Sequence, residues 1–91
     1  MRFEWDAGKA ASNFAKHEVS FEEASTVFGD RLATTVLDPD HSIGEDRWLT
    51  AGLSSQQRVV IVWHTNRGEA IRIVGARQPT ARERRIYESG E

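Results

Sequence analysis

Residues 46–91 contain eight arginines and no lysine, and Arg72, Arg77, Arg82, Arg84 and Arg85 stand within fourteen positions of one another. A guanidinium stays protonated in water and presents a planar fork of donors that meets a phosphate two bonds at a time. That spacing fits a phosphate-rich ligand. His64, Glu45 and Tyr87 add groups able to give or take a proton. Such a set would serve metal-free cleavage of a phosphodiester whose own 2′-hydroxyl is the nucleophile, which needs only a base, an acid and cations for the negative phosphorane. The same residues would serve a module that binds nucleic acid without cutting it, or simply solvate a sheet and a helix. Residue types alone do not separate these readings.

Charge is unevenly divided along the chain. Residues 1–45 carry four Lys and Arg against nine Asp and Glu (−5), whereas residues 46–91 carry eight Arg against five acids (+3), so the overall −2 hides a local anion-binding half. Ninety-one residues make one domain, 1–91, with a single core. The absence of cysteine removes any disulfide, thiolate nucleophile or cysteine zinc site and points to the cytoplasm. The longest apolar run, Val59 to Trp63, has five residues, against the ~20 of a membrane span. The N-terminal MRFEWDAGK lacks the basic-then-apolar order of a signal peptide, so neither insertion nor export is expected.

Other chemistries find no support. There is no glycine-rich phosphate loop and no Ser-His-Asp spacing, and His17, His41 and His64 are isolated from one another. The loop Asp38 to Asp46 holds four carboxylates, but His41 and Ser42 interrupt the alternating acceptors that a calcium loop requires. No metal and no cofactor are expected.

The elements that must position these residues are legible in outline. Asp6 is an N-cap for a helix over Ala7 to His17, and Ser20-Phe-Glu-Glu23 is a capping box opening a second helix, Phe21 to Phe28, with Val19 stapled onto Ala24. Branched residues then mark strands over Leu32 to Leu37, Arg47 to Leu53, Arg58 to Thr65 and Glu69 to Arg77. Met1 to Trp5 is a short strand or an extended lead-in. Pro79 ends the sheet, and Thr80-Ala-Arg-Glu83 is a second capping box for a C-terminal helix to about Glu88. The result is an α+β domain: two N-terminal helices, a four-stranded antiparallel sheet and a C-terminal helix.

Register decides which side chains meet. A three-residue loop Asn66-Arg67-Gly68 pairs Trp63 with Ile71 and Ile61 with Ile73, giving one apolar face of Val59, Ile61, Trp63, Ile71 and Ile73 for the helices to cover. The opposite face then carries His64 diagonal to Arg72, among Val60, Val62 and Val74. Arg77 falls on the helix side.

A resemblance adds to this reading. The order FEWD-x-x-KAxxNxxKH-x-VSFEEA-x-x-VFGD, then DPDHS-x-GE-x-R, LTxGLS and HTxRG-x-x-IRIxxAR-x-x-T-x-RERR-x-YE, spanning Phe3 to Glu88, resembles the BrnT toxins of bacterial type II toxin–antitoxin pairs. The resemblance implies a RelE-like fold and a metal-independent endoribonuclease that arrests translation. It also implies a hetero-oligomer with a BrnA-like antitoxin, through which the pair reaches operator DNA. The motif's charged positions fall on Lys9, Lys16, His17, Glu45, Arg47, Arg67, Arg72, Arg77, Arg82, Arg85 and Tyr87. Arg72 and Arg77 are expected to stabilise the phosphorane, with His64, Glu45 or Tyr87 moving protons and Lys9, Lys16, Arg47, Arg67, Arg82 and Arg85 holding RNA. The competing readings are a non-catalytic interaction module and a gyrase-targeting toxin of the same superfamily. Gly8, within a helix, and Ile43, in a polar loop, depart from the motif without touching the arginines.

Overall fold

The computed structural model describes residues 1–89; residues 90–91, the end of the expected 1–91 domain, lie outside the described residues. Helix α1 (Ala7–His17) starts where Asp6 accepts the Lys9 backbone N–H at 2.8 Å. Helix α2 (Phe21–Thr26) starts where Ser20 Oγ accepts the Glu23 N–H at 2.9 Å, and it tightens into a 3₁₀ turn over Val27–Gly29.

The first capping box is only half made. The Glu23 carboxylate, 4% exposed, turns inward and takes Nε and Nη2 of Arg58 at 2.8 and 2.7 Å and the Ser54 hydroxyl at 2.7 Å. A carboxylate removed from water needs such partners. The Arg58 fork holds it below the usual carboxylate range against the opposing effect of burial. The second box is complete: Thr80 Oγ1 accepts from the Glu83 N–H, the Glu83 carboxylate accepts from the Thr80 N–H, and helix α3 (Ala81–Ser89) follows.

Five strands form one sheet in the order β1-β5-β4-β3-β2, with β1 Arg2–Glu4, β2 Thr34–Leu37, β3 Trp48–Leu53, β4 Val59–Arg67 and β5 Ala70–Arg77. Strands β2 to β5 make the expected antiparallel meander. The expected four-stranded antiparallel sheet is nevertheless incomplete, because β1 lies parallel to β5 with Phe3 opposite Ile71. Three residues pairing with a strand at the far end of the chain leave no local turn to announce them. Past Glu4, α1 closes the edge of β5: Asn13 donates to the Ala76 carbonyl at 2.9 Å and accepts from the Ala76 N–H at 3.1 Å, so a side-chain amide stands in for a strand.

The central hairpin corrects the register. It turns through two residues, Gly68-Glu69, with Arg67 opposite Ala70 and Gly68 at φ +61. A bulge leaves Trp63 opposite Gly75 but His64 opposite Ile73, with Val74 between. The faces of β4 are the reverse of those expected, because the helices cover the side of Val60 and Val62. Val60, Val62, Ile73 and Ala76 form the core with Val19, Phe21, Ala24 and Val27 of the N-terminal helical segment. Gly52, opposite Val60, lets that segment approach: a Cβ there would stand 2.8 Å from Val27 Cγ1.

Candidate anion-binding face

Strand alternation puts Ile61, Trp63, Thr65 and Arg67 on the side of β4 turned away from α1 and α2. Arg72 stands opposite Thr65, Arg77 opposite Ile61, and Glu4 of β1 opposite Arg72. Arg47, just before Trp48, falls on the same side by alternation. Sheet geometry thus gathers Arg47, Arg67, Arg72 and Arg77 around Trp63 and Thr65.

These arginines are not equivalent. Arg77 is committed: Nη1 and Nη2 reach the Glu83 carboxylate at 2.8 and 3.0 Å, and its guanidinium carbon sits 5.1 Å from the centre of the Trp63 ring. The pairing holds Glu83 at about 2, below the usual carboxylate range, and raises Arg77. Arg72 makes one contact, Nη1 to Glu4 Oε2 at 3.1 Å. Arg67 meets Glu45 at 3.3 Å, both side chains about half exposed. The Arg47 Nε is buried without a partner, as is Thr65 Oγ1. A cation spared strong internal pairing keeps its capacity for a ligand anion.

His64 is the main correction among the candidate residues. It is 5% exposed on the helix-covered side, its Nε2 hydrogen-bonded to Thr50 Oγ1 at 2.7 Å and its ring 4.9 Å, edge-on, from Phe28. Burial lowers it to about 4. It does not lie beside Arg72 on an uncovered face: it shares its side of β4 with Val60 and Val62, which the helices cover, and the two-residue turn puts Arg72 opposite Thr65 instead.

Tyr87 belongs to another neighbourhood. Helix α3 crosses the β2–β3–β4 part of the same sheet side, where Tyr87 and Ile86 border an apolar groove of about 650 Å³ with Leu49, Ala51 and Ile61. The Tyr87 hydroxyl donates to Asp30, which also accepts the Leu53 and Leu32 N–H groups at 2.7 and 3.0 Å. Burial, then that carboxylate, pushes Tyr87 up to about 12. Arg82, Arg84 and Arg85 are exposed on α3, and Lys9 and Lys16 on α1, where His17 is half-buried. Among the described residues no three His, Cys, Asp or Glu side chains gather to hold a metal ion, and no helix is long and apolar enough to cross a membrane.

Sequence reasoning missed Trp63, Thr65 and Glu4 as residues of this face. Glu4 follows from β1, which has no local signal. Trp63 and Thr65 follow from the side of β4, which the run Val59 to Trp63 leaves undetermined because apolar residues alternate with apolar residues.

Such a layout, α1 and α2 on one side of a mixed five-stranded sheet and α3 with the guanidinium groups on the other, defines a small α+β protein. The family model described as ribonuclease toxin, BrnT, of type II toxin–antitoxin system matches residues 5–83. This chain belongs to that family. The crystal structure of the Brucella abortus ribonuclease toxin BrnT superposes with a TM-score of 0.64 at 22% identity, over 88% of this chain and 97% of that one, a likeness of fold. No curated protein matches the chain.

Proposed function

We propose that the chain is a metal-independent endoribonuclease, the toxin of a pair in which a cognate antitoxin neutralises it. The observation that carries this reading is the convergence of Arg47, Arg67, Arg72 and Arg77 on one sheet side in a BrnT-family chain. Arg72, with Arg47 across β4 from it, holds the scissile phosphate and offsets the charge of the phosphorane. Arg77, tied to Glu83, shapes the site more than it meets phosphate. The 2′-hydroxyl oxygen attacks phosphorus and its proton passes to Glu45, which Arg67 keeps at the rim. The departing 5′-oxygen takes a proton from solvent, leaving a 2′,3′-cyclic phosphate and a 5′-hydroxyl. Guanidinium charge does here what a metal ion does in other nucleases. Arg82, Arg85, Lys9 and Lys16 extend the contact with RNA.

Cleavage of messenger RNA arrests translation, and an acidic segment of a BrnA-like antitoxin covers the arginine side in a hetero-oligomer that reaches operator DNA through the antitoxin. Purified chain incubated with single-stranded RNA in excess EDTA should yield cyclic-phosphate ends. Intact RNA would refute the catalytic reading. One observation favours a second reading, a module that binds without cutting: with His64 in the core and Tyr87 held by Asp30, the arginine side offers only carboxylates for proton transfer. Tight RNA binding with no cleavage is its signature.

A further inference from the structure

Among the described residues, Trp63 is the only aromatic that the strands place on the arginine side; Phe3 and Trp48, the other two strand aromatics, face the opposite way. Its indole is half-buried and lies against Gly75, where a Cβ would stand 3.7 Å from Cε3. The Arg77 guanidinium sits 5.1 Å from the ring centre and is itself fixed by Glu83 at 2.8 and 3.0 Å. The Arg77 guanidinium thus lies over the indole as a cationic stack that Glu83 holds in place.

Polar atoms with unmet hydrogen bonds belong to the same side of the sheet. Among the described residues three buried side-chain polar atoms lack a partner; His64 Nδ1 is in the core, while Thr65 Oγ1 and Arg47 Nε belong to the arginine side. Thr65, 3% exposed, is two residues along β4 from Trp63 and opposite Arg72. An unpaired buried donor weakens the free protein and favours a ligand that satisfies it. A cationic stack, a donor, a hydroxyl able to give or accept, and a neighbouring cation are together complementary to one unstacked nucleotide: base on the Trp63–Arg77 stack, base edge toward Thr65 and Arg47, phosphate on Arg72.

We infer that Trp63 is a nucleobase-stacking residue that selects unpaired RNA and sets where the chain engages it. This rests on the RNA-directed reading given above. A merely structural Trp63 would matter for folding and not for the base.

The test uses 2′-O-methyl single-stranded RNA, which lacks the attacking hydroxyl, and a series of the same oligonucleotide with one base removed at each position in turn. Trp63→Ala should weaken binding about 5- to 150-fold, and Trp63→Phe should restore most of it, with thermal unfolding showing that both variants fold. One abasic position should reproduce the loss in wild type and add nothing in Trp63→Ala. Equal affinity of Trp63→Ala and wild type, or abasic losses undiminished in the variant, overturns the inference. Wild type that binds this RNA but fails to cut its 2′-hydroxyl counterpart refutes catalysis and leaves Trp63's role standing. Wild type that binds no RNA overturns both.

Discussion

His64 is a titratable group placed where its charged form is excluded. Unfolded, it takes a proton near pH 6.5; folded, burial lowers it to about 4. Its depressed value makes stability complete above pH 6.5 and progressively lost as pH falls toward 4, because the unfolded chain binds a proton that the core refuses. The loss between pH 6.5 and 4.5 should be roughly 2 kcal/mol. Glu23 and Glu83, also depressed, add their own losses only below 4.5, so this window isolates the histidine. His64→Phe keeps a ring against Phe28 and removes the titrating nitrogens. Urea midpoints at pH 7 and pH 5 should differ in wild type and converge in the variant; an unchanged difference would place the titration elsewhere.

At the scale of elements, close approach of the 3₁₀ turn to β3 depends on Gly52. A Cβ there would lie 2.8 Å from Val27 Cγ1, 3.0 Å from Ala33 Cβ and 3.2 Å from the Val27 carbonyl oxygen, the last being backbone that cannot rotate away. Gly52→Ala should cost about 1–3 kcal/mol in chemical denaturation, with the arginine side unaltered; a neutral or stabilising effect would mean that the segment yields easily. The same elements show what the sequence makes legible. Helix α1 is bounded as expected because Asp6 and the alanines act locally. The meander is recovered because its turns are polar. Strand β1 and the sides of β4 are not, and for different reasons. Pairing of Arg2–Glu4 with β5 is a property of the finished fold. The run Val59 to Trp63 has helices on one side and part of α3 on the other, so its apolar residues carry no alternation from which to choose a side. The helices cover the side of Val60, Val62 and His64, and the two-residue turn puts Arg72 on the side of Trp63 and Thr65.

Over the whole molecule, the division of charge seen in the sequence becomes a division of surfaces. Arginines of the second half converge on one side of the sheet, and acids of the first half partner groups of the second: buried Glu23 with Arg58, and the part-exposed Glu4 with Arg72 and Asp30 with Tyr87. The candidate chemistry was legible as a set of arginines, since arginine types and spacing do not depend on register. Which proton-transfer group joins them was not, because that depends on which way one strand faces. The central claim is that Arg72 acts on the scissile phosphate. The direct measurement is the single-turnover cleavage rate of one defined RNA by purified wild type and Arg72→Ala, both confirmed folded by thermal unfolding. A loss of about 100-fold or more is predicted, the usual effect of removing a group that stabilises developing charge. An Arg72→Ala protein that cuts at the wild-type rate would contradict the account.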